Sequence, residues 1–404
     1  MIDWLSRAAV SHPERVAIER ADDRITYREL LARAAAATPP AGPGERVPLA
    51  LADRVEFAVA LHGCLLAGAA AVPVDLRLSE SEQALRRRPG QAHTPGTVAV
   101  MHTSGTTSAP KPVELTAANV LANAAGSAFA LGLDPHERWL AVMPLAHVGG
   151  LMILLRSAIY ATTVVVHDRY DTDAVLEALM DRSAGITLVS LVPTMLARLL
   201  DAGLASPPSL RWALLGGGPI PPGLVTRAGA AGVPVAPTYG MTEACSQIAT
   251  FGRPLHGVDV AIAADGEIRV RGSVVAPGAL GPDGWLATGD LGRLGPGGGL
   301  EIIGRKSETI VSGGENVAPA EVEAVLLEHP AVADAGVFGR EDPEWGEAVC
   351  AQIVLRPGHE TVDIADLQAF CRERLAAYKV PKHVQVAAEL PRTVSGKLLR
   401  RALV

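Results

Sequence analysis

Thr103-Ser104-Gly105-Thr106-Thr107, with Lys111 four residues on, gather hydroxyls, a glycine and a cation directly after the β-like run 96–102. Such a loop can wrap a polyphosphate: hydroxyls and backbone N–H groups donate, glycine admits close approach, and lysine brings mobile positive charge. An ordinary Ser/Thr/Gly turn has the same composition. A second stretch, Tyr239-Gly240-Met241-Thr242-Glu243, also follows a β-like run. It should sit at a strand's C-terminal end, where open α/β sheets bind ligands. Its ring, hydroxyl and carboxylate could stack a base, bond a phosphate and hold Mg2+; a surface turn with an exposed acid is the competing reading. Trp212–Leu215 runs into Gly216-Gly217-Gly218, where backbone can approach a flat ligand or simply turn. Asp290, in Thr288-Gly289-Asp290, could bond a ribose diol and Arg305 could reach the same sugar, although Asp after glycine is also a common turn. Lys397 lies in the basic run 391–400, which by composition alone is a solvated tail.

The elements that must position these residues alternate. Val47–Ala52, Val72–Val74, Val98–His102, Leu140–Met143, Thr163–His167, Leu188–Leu191, Trp212–Leu215 and Val233–Ala236 read as strands. Between them Val55–Ala67, Ala117–Ala130, Thr172–Ser183 and Pro193–Ala202 have helical periodicity. This predicts an α/β domain of parallel-rich sheets flanked by helices. After Phe251 the pattern becomes short strands (Val258–Ala263, Glu267–Arg271, Leu300–Ile303) between Gly/Pro turns, a small antiparallel β unit. Helices over Pro319–His329 and Ile364–Tyr378, with strands over Ala331–Gly339 and Ala348–Leu355, then predict a small α+β C-terminal domain. The expected boundary divides residues 1–306 from 307–404.

With 49% apolar and 20% charged residues, the chain can bury a sizeable core and is not disordered. Its net charge of −7 argues against nucleic acid as a partner. The region Trp139–Val166 is the most apolar, but Pro144, His147, Gly149, Gly150 and Arg156 break it, so a buried strand and helix are expected rather than a membrane span. No signal peptide is evident, and Cys64, Cys245, Cys350 and Cys371 lack metal or redox spacing, which fits free thiols in the cytoplasm. Lysine is scarce beside arginine, occurring only at 111, 306, 379, 382 and 397, so those that remain are candidates for work arginine cannot do.

In their order along the chain, these motifs resemble the adenylate-forming superfamily of acyl-CoA synthetases, peptide-synthetase adenylation domains and luciferases. Within it the chain is most similar to the o-succinylbenzoate–CoA ligases of menaquinone biosynthesis. Arg138-Trp139-Leu140 through Pro144-Leu145-Ala146-His147, Leu214–Pro219, Glu243–Ile248, Ser312–Asn316 and Tyr378–Lys382 carry that likeness. The resemblance implies ATP-dependent activation of a carboxylic acid to an acyl-adenylate, then transfer to coenzyme A with release of AMP. A carboxylate of pKa near ~4 is already ionised at neutral pH, so positioning and charge compensation, not a general base, would carry the first step.

The resemblance assigns roles. Thr103–Thr107 and Lys111 would handle the β- and γ-phosphates, Gly216–Gly218 and Tyr239–Met241 the adenine side, and Thr242 the α-phosphate. Glu243 would bind Mg2+, Asp290 and Arg305 the ribose, and Lys397 would bridge the attacking carboxylate and the α-phosphate. Ser307 matches the hinge of a mobile C-terminal domain, and Ser312, Gly313, Gly314 and Glu315 the pantetheine path, although a structural turn would also explain those glycines. His147, Gly149, Gly217, Ser246 and Gln247 fall at the acyl pocket. Arg156 is the candidate for the substrate's second carboxylate; an arginine reaching solvent from its helix is the alternative.

Two departures from the family pattern stand out. The phosphate loop reads Ser108-Ala109-Pro110-Lys111-Pro112, replacing two usual glycines, and Pro112 has no N–H. The segments Asp75–Val98 and Phe251–Trp285 are short. Another aryl- or acyl-CoA ligase, an adenylation enzyme loading a carrier protein, and a non-catalytic nucleotide- or acyl-binding relative are the alternative readings. The presence of Glu243, Asp290 and Lys397 argues against the last. An isologous homodimer is the base-rate expectation for assembly.

Overall fold

The computed structural model describes residues 4–21, 23–103, 111–295, 297–392 and 398–403. Two compact units divide the chain: one takes Met1–Gly217, Arg227–Val260 and Val270–Leu286, the other Gly218–Thr226, Ala261–Arg269 and Ala287–Val404. Compactness places the division before the expected 306/307 boundary; a hinge is defined by motion, so the two need not coincide.

The first unit is α/β, as expected. Its nine-stranded sheet runs Arg253–Pro254, Ser246–Thr250, Val235–Met241, Trp212–Leu215, Leu188–Leu191, Arg138–Ala141, Thr163–Val166, Val16–Arg20, Asp23–Thr26. The interior pairs are parallel and both edges antiparallel. A second sheet of four strands orders Arg46–Leu49, Ala70–Pro73, Thr97–Thr103 and Lys111–Thr116, the last pair antiparallel. One face, with Ala71, Ala99, Met101, Val113 and Leu115, joins the main core.

Helices form where periodicity and caps agree. Arg54–Ala67 starts at Asp53, whose carboxylate accepts from Val55 and Glu56 N–H, and ends at Gly68 in the left-handed region (φ 72°). Ala117–Leu131 starts with a Thr116/Asn119 capping box. Val148–Tyr160 is the buried helix expected within the apolar run. Among the described residues no helix is long and apolar enough to cross a membrane.

Val258–Ile262, Glu267–Gly272, Leu286–Leu294 and Leu300–Arg305 follow one another in a third sheet. The C-terminal part of the second unit is α+β, with strands Ile310–Ser312, Glu315–Val317, Val332–Asp342, Gly346–Leu355 and His383–Val386. Helices Pro319–Glu328 and Ile364–Arg372 share its core of Val322, Leu326, Val337, Val349, Ile353 and Leu367. Half-buried Arg400 pairs with Glu308 and with buried Glu323 and donates to Val337 O, which ties residues 398–403 to this core.

Candidate active site

In the first unit, the two ends of the phosphate-loop stretch are held together. Thr103 pairs with Lys111 and His102 with Pro112 across an antiparallel ladder. Ser104, Gly105, Thr106 and Thr107 lie outside the described residues. Pro112 sits in the edge strand, where a missing donor is tolerated.

Tyr239-Gly240-Met241 ends a strand whose parallel neighbour runs into Gly216. Gly216 is forced: a Cβ there would lie 2.4 Å from Thr238 Oγ1 and 2.9 Å from its carbonyl oxygen. Gly217 has φ 80°, and a Cβ on Gly218 would meet nothing within 4 Å. Gly240 is forced more severely, since a Cβ would fall 1.6 Å from Ser246 O where the returning strand Ser246–Thr250 pairs back at a bulge. Between the strands, Thr242–Ala244 forms a single 3-10 turn, and Cys245 (φ 54°) and Ser246 (φ 99°) both take positive φ. Two such non-glycine residues in succession mark a strained corner, which persists only when its surroundings over-determine it.

Those surroundings are polar and buried. Asn123 Nδ2 donates to Gln247 O (2.8 Å) and Ala244 O (3.3 Å); Asn119 Nδ2 donates to Ser273 O and Val275 O, both 2.8 Å; and Ala276 N donates to Glu243 O (2.8 Å). The Glu243 carboxylate, on this clamped turn, is half-buried and meets no cation within ion-pair distance among the described residues. Mg2+ is commonly held by one or two carboxylates plus phosphates, with several waters retained, so a lone Glu243 fits it. No cluster of three or more His, Cys, Asp or Glu suited to a metal exists among the described residues.

Beside this turn Arg156 is 2% exposed, two turns inside its helix. The reading in which it reaches solvent is therefore ruled out. It donates to Asn123 Oδ1, its guanidinium lies 5.7 Å from the Trp139 ring centroid, and its Nε is buried without a partner. Among the described residues no carboxylate balances it, and burial lowers its pKa. Gln247 is also enclosed (4% exposed), with Nε2 on Thr250 Oγ1 and Oε1 unbonded. His147 occupies the N-cap position of the helix without a side-chain capping bond, and its Nε2 lies 3.2 Å from an Arg77 nitrogen and 3.6 Å from Asp75 Oδ2. Burial lowers its pKa; Asp75 pulls it up and loses, while Arg77 adds to the depression. Gly149, in the first turn of the same helix, has room for a Cβ, which would meet only Met143 Cε at 4.0 Å, while Gly150 is forced, its Cβ position lying 2.3 Å from Pro144 O.

In the second unit, Asp290 and Arg305 face each other in the ladder, with Nε 2.7 Å from Oδ1. Lys306 pairs with Asp265 and Glu267, and Ser307 follows, exposed in a 3-10 turn. Ser312 pairs with Glu315 around Gly313 (φ 61°) and Gly314 (φ 84°). Ser312 itself is enclosed, near Lys382 Nζ (3.5 Å), and Lys382 lies over the Trp345 ring. Lys397 is outside the described residues.

The chain matches the AMP-binding enzyme family over residues 5–94 and 84–280, and the AMP-binding enzyme C-terminal domain over 321–397. It belongs to the AMP-binding enzyme family. Among relatives, the 2-succinylbenzoate–CoA ligase of Bacillus licheniformis is 37% identical over 480 aligned positions, covering 99% of each chain. Among solved structures, the o-succinylbenzoate CoA synthetase of Bacillus subtilis with its acyl-adenylate intermediate has a TM-score of 0.90 at 36% identity, covering 100% of this chain and 98% of that one. The same synthetase with ATP and magnesium has a TM-score of 0.88 at 36% identity, covering 99% of both.

An alignment of 480 positions against 404 residues means that this member of the AMP-binding enzyme family lacks segments its relative carries, in keeping with the short connections in its sequence. Sequence reasoning missed Asn119, Asn123, Asp75 and Arg77. The two asparagines were discoverable: amides spaced four apart on the buried stripe of an alanine-rich helix need partners of their own.

Proposed function

We propose that this protein is an AMP-forming acid–thiol ligase that converts o-succinylbenzoate, ATP and coenzyme A into o-succinylbenzoyl-CoA, AMP and pyrophosphate. The observation that carries the reading is full-length likeness to 2-succinylbenzoate–CoA ligases, including a synthetase solved with its acyl-adenylate.

In the first half-reaction a carboxylate oxygen attacks the α-phosphorus and pyrophosphate leaves. The obstacle is an anion approaching a polyanion, so the residues that matter hold position and charge. Thr103–Thr107 and Lys111 hold the β- and γ-phosphates. Thr242 contacts the α-phosphate, and Tyr239, Gly240, Met241 and Gly216–Gly218 flank the adenine. Glu243 would hold Mg2+, which when bound would neutralise phosphate charge. Asp290 and Arg305 take the ribose, their pairing supporting a shared hydroxyl target, and Lys397 bridges the carboxylate and α-phosphate. His147, Gly149, Gly217, Ser246 and Gln247 form the acyl side. Arg156 compensates the substrate's second carboxylate; a buried guanidinium with an unbonded Nε and no acid partner supports this assignment. In the second half-reaction the thiol displaces AMP, and a swing of residues 307–404 about Ser307 exchanges Lys397 for the pantetheine path at Ser312–Glu315.

The cytoplasm is the proposed setting, supported by four buried free cysteines. A homodimer is the proposed assembly, tested by sedimentation. The function is tested by carboxylate-dependent AMP formation across o-succinylbenzoate, benzoates and fatty acids, with and without coenzyme A. A strong preference for o-succinylbenzoate with a thioester product is expected. Preference for another acid removes the substrate assignment, and no AMP with any acid removes the ligase reading.

A further inference from the structure

The four-stranded sheet has a second face, away from the core, and all four of its strands contribute to a cavity there. Arg46, Val72, His102 and Pro112, one from each strand, line it together with Leu85, Arg86 and Arg88. Its volume is about 240 Å³. The helix Glu80–Arg86 and the residues after it supply Leu85, Arg86 and Arg88 to that lining. Behind the cavity Ala70, Val72 and Val100 make a small apolar patch with Ala92.

The charge at this cavity does not balance. Arg46 is paired with Glu114 at 2.8 Å, and Glu114 also accepts from the His93 and Thr94 backbone N–H groups. Burial opposes ionisation of Glu114, but these donors together hold its pKa down at about 2, so it is fully committed. Arg86 is 7% exposed and spends one nitrogen on the Glu82 carbonyl; neither it nor Arg88 meets a carboxylate among the described residues. Two polar atoms there are buried without a partner among the described residues, Arg46 Nε and His102 Nδ1. Arginines that outnumber the carboxylates beside them suit a planar or tetrahedral oxyanion.

We propose that this cavity is a ligand site distinct from the nucleotide site, and that it takes a small oxyanion, a phosphate or carboxylate group carried on at most a small apolar body. Ligand pockets for larger molecules run to roughly 300–1,000 Å³, so this space is too small for a nucleotide. Val72, Leu85 and Pro112 supply the apolar edge. Because His102 pairs with Pro112 and Thr103 with Lys111, a ligand bonded to His102 lies one residue from both ends of the phosphate-loop stretch.

Burial, with Arg86 and Arg46 facing it, lowers the His102 pKa to about 4. An anion in the cavity screens both arginines and raises it, giving a readout independent of catalysis. The experiment follows the His102 ring by NMR from pH 3.5 to 8, the signal assigned by its loss in His102→Gln. Titrations use inorganic phosphate in one arm and benzoate in the other, with chloride at matched ionic strength as control. Each is repeated with ATP and Mg2+ saturating. The expected result is a saturable rise of at least one pH unit in the His102 midpoint that survives ATP and is weakened at least tenfold in Arg88→Gln, an exposed position unable to unfold the chain, and in Arg86→Gln. The arm giving the larger rise identifies the favoured oxyanion. A midpoint unmoved beyond chloride in both arms, a response abolished by ATP, or full response in both arginine variants would each overturn the proposal.

Discussion

Replacing Arg156 by methionine separates a guanidinium that meets the substrate from one that only holds the protein together. The side chain is 2% exposed and no carboxylate balances it among the described residues, so the native protein carries a desolvated charge. Removing an unpaired buried charge does not by itself destabilise, and an apolar residue of similar length often substitutes without loss. Against this, Asn123 Oδ1 loses its donor, a cost of roughly 1–3 kcal/mol. The two effects oppose, so the melting temperature should change little. The substrate's second carboxylate loses a charge-assisted hydrogen bond worth roughly 1.5–3 kcal/mol. At about 1.4 kcal/mol per tenfold, the KM for o-succinylbenzoate should rise roughly 10- to 150-fold while that for ATP stays within about twofold. Arg156→Lys, which keeps the charge and loses the fork, should fall between. Steady-state AMP release, varying each substrate in turn, reads both constants. Equal rises in the two KM values, or loss of fold with no selective effect on the acid, would refute the reasoning and leave Arg156 as a support for Asn123.

Glu243→Gln should lower kcat by about 10²–10³ and raise the Mg2+ concentration for half-maximal AMP release; an unchanged Mg2+ profile removes Glu243 as the ligand. Gly240→Ala places a methyl 1.6 Å from Ser246 O, so thermal stability and activity should fall together, at or beyond the roughly 1–3 kcal/mol of overpacking; a native melting temperature contradicts the bulge geometry. His102, with a folded pKa of about 4 against an unfolded value near ~6.5, binds more protons when unfolded between those limits. Stability should therefore fall as pH drops through that window, by at most about 3.4 kcal/mol, and urea titrations at either end should show His102→Gln losing that dependence. Restoring glycine at Ser108 and Pro112 should lower the KM for ATP; an unchanged value shows that the altered loop controls pyrophosphate as tightly as the usual one.

Much of the fold was legible because the interior strands are apolar on both faces. Leu188–Leu191 and Trp212–Leu215 match the structure to the residue, since short, largely apolar runs suit buried parallel strands. The edges were not legible. Val16–Arg20 and Asp23–Thr26 are a charged hairpin, in which Glu19 is held by Arg24 and Arg138, so its strand character comes from the partner and not from its own pattern. Leu286–Leu294 contains Thr-Gly-Asp, which reads as a turn, yet Gly289 (φ 70°) sits within the strand and Asp290 is fixed there by Arg305. The helix expected over Ile364–Tyr378 stops at Arg372, and Ala377–Lys379 instead forms a separate 3-10 turn.

The candidate site divides along the same physical line. Glycines that a close approach demands, Gly216 and Gly240, stand out in sequence because few alternatives to glycine fit such a backbone. The strain at Cys245 and Ser246 was invisible, since neither residue type advertises positive φ and the conformation is imposed by distant groups. Asn123 reaches it from a helix more than a hundred residues earlier, and Arg156 holds Asn123 in turn. A corner that carries Glu243 is thus fixed by amides and a buried cation that never touch that carboxylate. Loosening Asn123 should therefore misplace Glu243 without altering its chemistry. On the proposed Mg2+ role of Glu243, Asn123→Ala should lower kcat with less change in the Mg2+ concentration for half-maximal AMP release than Glu243→Gln gives, and the difference between those variants measures what the buried network contributes.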